Sequence, residues 1–136
     1  MLNIDDSWTL FLDRDGVINQ RIFGGYVTRP EELIVTAENV LAIEALSSVF
    51  GRCVVVTNQQ CIAKGILSID GLSRVHSSLK DMLKPGTLDG IYFAPEFAND
   101  PQSTRKPKPH MAQQAQRDFP EINFEKSVMV GDTDSD

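Results

Sequence analysis

The sequence predicts an α/β fold in which a parallel β-sheet carries helices on both faces. Three observations predict it. Short apolar runs alternate with longer segments of helical periodicity, in the order strand, helix, strand, helix, strand, helix, strand. The run Cys53 to Val56 is apolar throughout, as a strand buried on both faces must be. Three of the four strand candidates stop abruptly at polar side chains, and in a parallel sheet those carboxyl ends share one rim, where such folds bind ligands. Parallel neighbours require crossovers, which are right-handed, so the helices divide between the two faces.

The first strand is expected over Thr9 to Leu12 and is followed by an irregular, glycine-containing loop through Phe23, Gly24, Gly25 and Tyr26. Pro30 with Glu31 and Glu32 starts a short turn. From Ala37 to Phe50 the apolar residues Val40, Leu41, Ile43, Leu46, Val49 and Phe50 recur at helical spacing, with Thr36 as N-cap and Gly51 as terminator. The second strand, Cys53 to Val56, stops at the polar loop Thr57 to Gln60. Asp70 caps a second helix carrying Leu72, Val75, Leu79, Met82 and Leu83, which Pro85 and Gly86 break. Ile91 to Phe93 is the third strand and Ala94 to Thr104 a loop. Pro109 is placed in the first turn of a third helix running to Arg117. Ser127 to Val130 is the fourth strand, and it ends in Gly131, Asp132, Thr133, Asp134, Ser135 and Asp136.

With 136 residues, 41% of them hydrophobic and 24% charged, the chain reads as one soluble globular domain over 1–136. It has no apolar run of membrane length, and an amino terminus with Asp5 and Asp6 lacks the profile of a secretory signal. Cys53 and Cys61 show neither metal-ligand nor disulfide-framework spacing, so both are read as free thiols in a reducing compartment, and the chain as cytoplasmic. A net charge of −6 opposes broad binding to nucleic acid or anionic membrane, while leaving room for a local basic pocket that holds one phosphate.

The first strand releases Asp13 and Asp15, one residue apart and followed by Gly16. Paired carboxylates repel unless a cation or a shared proton compensates them, so the pair suggests a magnesium site with one carboxylate free to attack; an Asx-type turn closed by glycine accounts for the same residues taken alone. The second strand adds Thr57 and Asn58 and the fourth Asp132, while Arg105, Lys106 and Lys108 cluster before the third helix. Carboxylates for a cation, hydroxyl and amide donors, and a basic side chain are what phosphoryl transfer requires, because its catalysis is positioning and charge neutralisation. Individually, Thr57 and Asn58 also fit as loop-satisfying residues, the basic run as a solvated face, and Asp134 and Asp136 as turn residues. One site explains the principal groups jointly. His76 and His110 accompany no serine or cysteine nucleophile and are read as surface or packing residues. No Walker loop is present.

The segments Asp-Arg-Asp-Gly-Val-Ile-Asn at 13–19, Thr-Asn-Gln at 57–59 with Ile-Ala-Lys-Gly at 62–65, Arg-Lys-Pro-Lys-Pro at 105–109 and Val-Gly-Asp at 130–132 resemble, in order, the four motifs of haloacid dehalogenase superfamily phosphatases. With Asp-Gly-Ile-Tyr-Phe at 89–93, the wording is similar to the branch of D-glycero-D-manno-heptose-1,7-bisphosphate 7-phosphatase and histidinol-phosphatase. The resemblance covers nearly the whole chain and implies a Rossmann-like sheet of the capless haloacid dehalogenase type. It implies that Asp13 attacks phosphorus to form an aspartyl-phosphate and that Asp15 is the acid and base. Mg²⁺ would be held by the Asp13 carboxylate, the Asp15 backbone carbonyl and Asp132. Thr57 and Asn58 would bond the transferring group, Lys106 would balance its charge, and Arg105, the Gly24, Gly25 and Tyr26 loop, Gln59 and Gln60 would shape the substrate pocket. The implied substrate is a small sugar phosphate, best a heptose bisphosphate.

Three departures from the family pattern stand out. Ala94 to Thr104 holds neither cysteine nor histidine where relatives often bind zinc, so no zinc is expected. Cys61 and His110 replace glycines, which narrows or reorients access to the substrate. The chain ends just past the fourth motif, so truncation there, with an unpaired sheet edge that invites self-association, is expected. Alternatives are histidinol phosphate as substrate, a polynucleotide 3′-phosphatase disfavoured by the acidic balance, and a truncated, non-catalytic phosphate-binding domain. A signalling receiver domain is opposed by Tyr92, Phe93 and Ala94 standing where its lone aspartate would be.

Overall fold

The computed structural model describes residues 2–134 and 136; Ser135, in the acidic run after the fourth strand, lies outside the described residues. Four strands, β1 (Thr9–Leu12), β2 (Arg52–Asn58), β3 (Gly90–Ala94) and β4 (Ser127–Val130), form one parallel sheet in the order β3-β2-β1-β4. In β1, one of the two inner strands, Thr9 stands opposite Arg52 on one side and Ser127 on the other, and Leu12 opposite Val55 and Val130. All four residues of β1 are buried, which is why it carries no polar alternation.

Helices α1 (Ala37–Val49), α2 (Ile69–Asp81) and α3 (His110–Asp118) make the crossovers. Leu10 and Leu12 pack with Ile43, Phe50, Val75 and Leu79 on the face covered by α1 and α2. Side chains alternate along a strand, so Phe11 points the other way and meets Met111 and Ala115 of α3 together with Val54 and Val56. Two successive crossovers on one face and the third on the other bring β4 in beside β1, opposite β3.

Several boundaries differ from the sequence reading, each for a local reason. Strand β2 runs on into Thr57 and Asn58 because the backbone ladder with β3 continues through Thr57–Phe93 and Asn58–Ala94, whatever the side chains. Helix α2 is capped by Ser68, whose hydroxyl accepts the Gly71 N–H at 3.0 Å, and not by Asp70, which sits in the first turn. Pro109 is the residue before α3 and not within its first turn. Thr36 caps α1 as expected, accepting the Asn39 N–H at 3.1 Å. The apolar positions of α1 are not one buried face: only Ile43 is fully buried, while Leu41 is 67% exposed. Part of the helix is given to polar contacts, with Ser47 donating to the Thr87 carbonyl (3.0 Å) and Glu44 accepting the Lys84 N–H (2.9 Å). A 3₁₀ turn at Pro30–Glu32 matches the expected turn; a second, at Phe124–Lys126, leads into β4. Among the described residues no helix is long and apolar enough to cross a membrane.

Candidate active site

The carboxyl ends of β1, β2 and β4 open onto one cleft of about 400 Å³. Strand β1 delivers Asp13, whose N–H still reaches the Val130 carbonyl of β4 at 3.0 Å, so the strand geometry extends to the carboxylate-bearing residue. Asp13 Oδ1 accepts the Arg14 N–H at 2.8 Å and lies 2.9 Å from Lys106 Nζ. The chain then turns sharply: the Arg14 carbonyl accepts from Val17, Ile18 and Asn19, and Gly16 adopts φ +86°. A Cβ on Gly16 would also run into the Asp132 carboxylate, so the position excludes a side chain on both conformational and steric grounds.

Lys106 comes from the loop before α3 and is held by Asn58 of β2. Its backbone N–H donates to Asn58 Oδ1 (2.9 Å), and Asn58 Nδ2 returns a longer bond to its carbonyl (3.4 Å). The ammonium bridges Asp13 and Asp136. Asp136 in turn accepts the backbone N–H groups of Asp132 (3.1 Å) and Thr133 (3.0 Å) and the Thr133 hydroxyl (3.0 Å), closing the loop after β4 into a compact acidic turn. Asp132 receives a bond from Arg21 at 3.3 Å.

The two carboxylates of the first motif occupy opposite electrostatic settings. Burial pushes the Asp13 carboxyl up to about 6, against the pull of Lys106. Burial also acts on Asp15, but Arg14, Asn19 and Gln59 outweigh it and hold that carboxyl below the usual range. The donors to Asp15 are Arg14 Nη2 (2.8 Å) and Asn19 Nδ2 (2.9 Å) on Oδ1, and Gln59 Nε2 (3.0 Å) on Oδ2. Lys106 and the donors of Thr133 likewise outweigh burial at Asp136 and lower it.

Most of the residues named from sequence converge here. Asp13, Asp15, Gly24, Gly25, Tyr26, Asn58, Gln60, Arg105 and Lys106 line the cleft. Thr57 and Gln59 lie beneath it, each 1% exposed, with Gln59 Nε2 bonding Thr57 Oγ1 at 2.9 Å as well as Asp15. Tyr26 is steadied by Lys64, whose ammonium donates to its hydroxyl at 2.7 Å. Among the described residues, one group of acidic side chains can each place an oxygen within 4.8 Å of the others: Asp13, Asp132 and Asp136. The Asp15 carboxylate is not in that group; it is bonded to Arg14, Asn19 and Gln59 instead. The sequence reading placed Asp136 in a turn; it is in the turn, but its carboxylate points inward onto Lys106. Arg21, which lines the cleft, and Arg14 and Asn19, which orient Asp15, carried no signal beyond their proximity to the first motif. Neither Cys61 nor His110 lines the cleft. Cys61 is fully buried against Leu67 and Leu72, and His110 is exposed at the start of α3.

Hard oxygen donors in this number suit a small divalent cation such as Mg²⁺, and the single ammonium beside them suits an anion arriving at the same place. No family model matches the chain. The D-glycero-alpha-D-manno-heptose-1,7-bisphosphate 7-phosphatase of Mycobacterium bovis is 34% identical over 132 residues, spanning 96% of this chain and 70% of that protein. The D-glycero-D-manno-heptose-1,7-bisphosphate 7-phosphatase of Chlorobaculum tepidum is 34% identical over 142 residues, spanning 95% and 71%. Among solved structures, the D,D-heptose 1,7-bisphosphate phosphatase of B. bronchiseptica, complexed with magnesium and phosphate, superposes with a TM-score of 0.81 at 28% identity over 94% of this chain and 72% of that one. A HAD-like phosphatase from Mesorhizobium loti gives a TM-score of 0.74 at 25% identity, over 95% and 65%.

Proposed function

The chain belongs to the heptose-1,7-bisphosphate 7-phosphatase family of haloacid dehalogenase-like phosphatases, and we propose that it hydrolyses the 7-phosphate of a D-glycero-D-manno-heptose 1,7-bisphosphate in the presence of Mg²⁺. The observation that carries this reading is the Lys106 ammonium shared between Asp13 and Asp136 at the head of a cleft large enough for a sugar phosphate.

In the first step an Asp13 oxygen attacks phosphorus as the bond to the sugar oxygen breaks, and Asp15 gives a proton to that leaving oxygen. In the second, Asp15 takes a proton from water, the water oxygen attacks the aspartyl-phosphate, and phosphate leaves with Asp13 restored. At rest Asp15 is held as a carboxylate, the form the second step needs. An arriving phosphate dianion raises its proton affinity and so favours the acid form for the first step. Lys106 offsets the charge of the transferring group, and Asn58 fixes where Lys106 can stand. Thr57 and Gln59 hold the floor, Arg105 and Gln60 meet the sugar side, and Gly24, Gly25 and Tyr26 form one wall. Asp13, Asp132 and Asp136 would hold a Mg²⁺, joined by the Asp15 backbone carbonyl as the family resemblance implies, and the ion would neutralise charge on the phosphoryl oxygens. The two buried thiols, Cys53 and Cys61, fit a cytoplasmic setting.

The test is phosphate release with Mg²⁺ from heptose 1,7-bisphosphate, histidinol phosphate and a 3′-phosphorylated oligonucleotide, with Asp13→Asn alongside. The heptose bisphosphate is expected to be preferred and the variant to be inactive. Preference for another substrate of the panel, or equal release by the variant, overturns it.

A further inference from the structure

One buried histidine has no place in the chemistry above. His76 lies on α2, is 9% exposed, and sets its Nε2 3.1 Å from Arg14 Nη1. Among the described residues Arg14 is the largest fully buried side chain, at 0% exposure. A guanidinium has donors only, so its contact with the ring requires His76 Nε2 to be unprotonated and accepting, with the ring proton on Nδ1. Burial, reinforced by the positive charge of Arg14, pushes His76 down to about 3 and keeps the ring neutral at working pH.

The rest of the guanidinium is committed to Asp15. Both Nη2 (2.8 Å) and Nε (3.3 Å) donate to Oδ1, so the guanidinium and the carboxylate oxygen move together. Without the imidazole, the Nη1 donor is left unsatisfied in a region closed to water, which is costly for a charged group. Rotation of the fork is the available relief, and it carries Oδ1 of the acid–base carboxylate with it. From this geometry we infer that His76 is a positioning residue for Asp15, acting through Arg14 from a helix on the far side of the first-motif loop. The inference rests on the phosphatase reading only in that it assigns Asp15 the acid–base work.

The expected consequence is a loss in kcat and not in substrate affinity. His76→Leu, which fills the space but accepts no hydrogen bond, lowers kcat about 10- to 100-fold, the range seen when outer partners of an active group are removed. KM moves by less than about threefold, because the ring touches no substrate. His76→Gln, whose side-chain oxygen accepts from Arg14, recovers kcat to within about threefold of wild type. In an Asp15→Asn background, His76→Leu costs little further, since the two act as one unit. Wild-type kcat in His76→Leu, equal losses in the leucine and glutamine variants, or an undiminished loss in the Asp15→Asn background overturns the inference. The ¹⁵N spectrum of the histidine ring in the wild-type protein checks it independently of activity and of variant folding: an unprotonated Nε2 is expected, and a protonated Nε2 overturns it. Asp13→Asn, run in parallel, separates the two levels: undiminished release there removes the phosphatase reading, whereas normal His76→Leu kinetics with an inactive Asp13→Asn removes only the role of His76.

Discussion

Replacing Asp13 by asparagine should abolish turnover and at the same time stabilise the metal-free protein. The carboxyl is 6% exposed and sits at about 6 against an ordinary 3.8. At about 1.4 kcal/mol per pH unit, keeping it ionised in the fold costs about 3 kcal/mol. Because the folded value lies above the unfolded one, the wild type is free of this cost below about 3.8 and bears it in full once the pH has risen through about 6. Asparagine is nearly isosteric and retains an acceptor for Lys106 and for the Arg14 N–H, so little else changes, and Lys106 keeps Asp136 as its counter-charge. With EDTA at pH 8, Asp13→Asn should therefore melt about 10 °C above wild type, with the gap closing as the pH falls toward 4. Added Mg²⁺ should narrow the gap at pH 8 by binding the folded wild type. Thermal melts across this pH range decide it. A variant no more stable than wild type at pH 8 would show instead that Lys106 more than offsets the desolvation of Asp13.

Other perturbations follow from the same geometry. Lys106→Met leaves Asp13 and Asp136 facing each other uncompensated, so urea unfolding at pH 8 should show a loss of about 3–5 kcal/mol, partly recovered at low pH, together with loss of turnover. Asp136→Asn should weaken Mg²⁺ binding at least about tenfold by calorimetry, whereas Asp134→Asn, at an exposed turn position, should leave it unchanged. Gly16→Ala should reduce turnover by at least about 100-fold, because a side chain there displaces the Asp132 carboxylate.

The sheet was legible because each strand holds a short apolar run that gives way to polar or turn residues. Thr9–Leu12 and Ser127–Val130 fall where the sequence places them, since the change from apolar to polar coincides with the end of the ladder. The convergence of Asp13, Asn58 and Asp132 was legible for a topological reason, since parallel strands must release their carboxyl ends at one rim; Lys106 joins them from the loop before α3, where Asn58 holds it. What was not legible depends on tertiary direction. Asp134 and Asp136 are alike in sequence, yet only Asp136 turns inward to Lys106. Arg14 and His76 are 62 positions apart, and nothing local predicts that a charged residue between two aspartates is wholly buried against a helical histidine. Helix α1 misleads in the opposite sense, because its apolar residues surround the axis and periodicity alone does not choose the buried ones.

The proposed hydrolysis turns on phosphorylation of Asp13. Acid quench of the Mg²⁺-loaded enzyme during turnover, borohydride reduction and peptide mass spectrometry test it directly, because reduction converts an aspartyl-phosphate to homoserine. Homoserine is expected at position 13, dependent on substrate and lost in Asp13→Asn. Turnover with position 13 unmodified, or with the label on another residue, would contradict it.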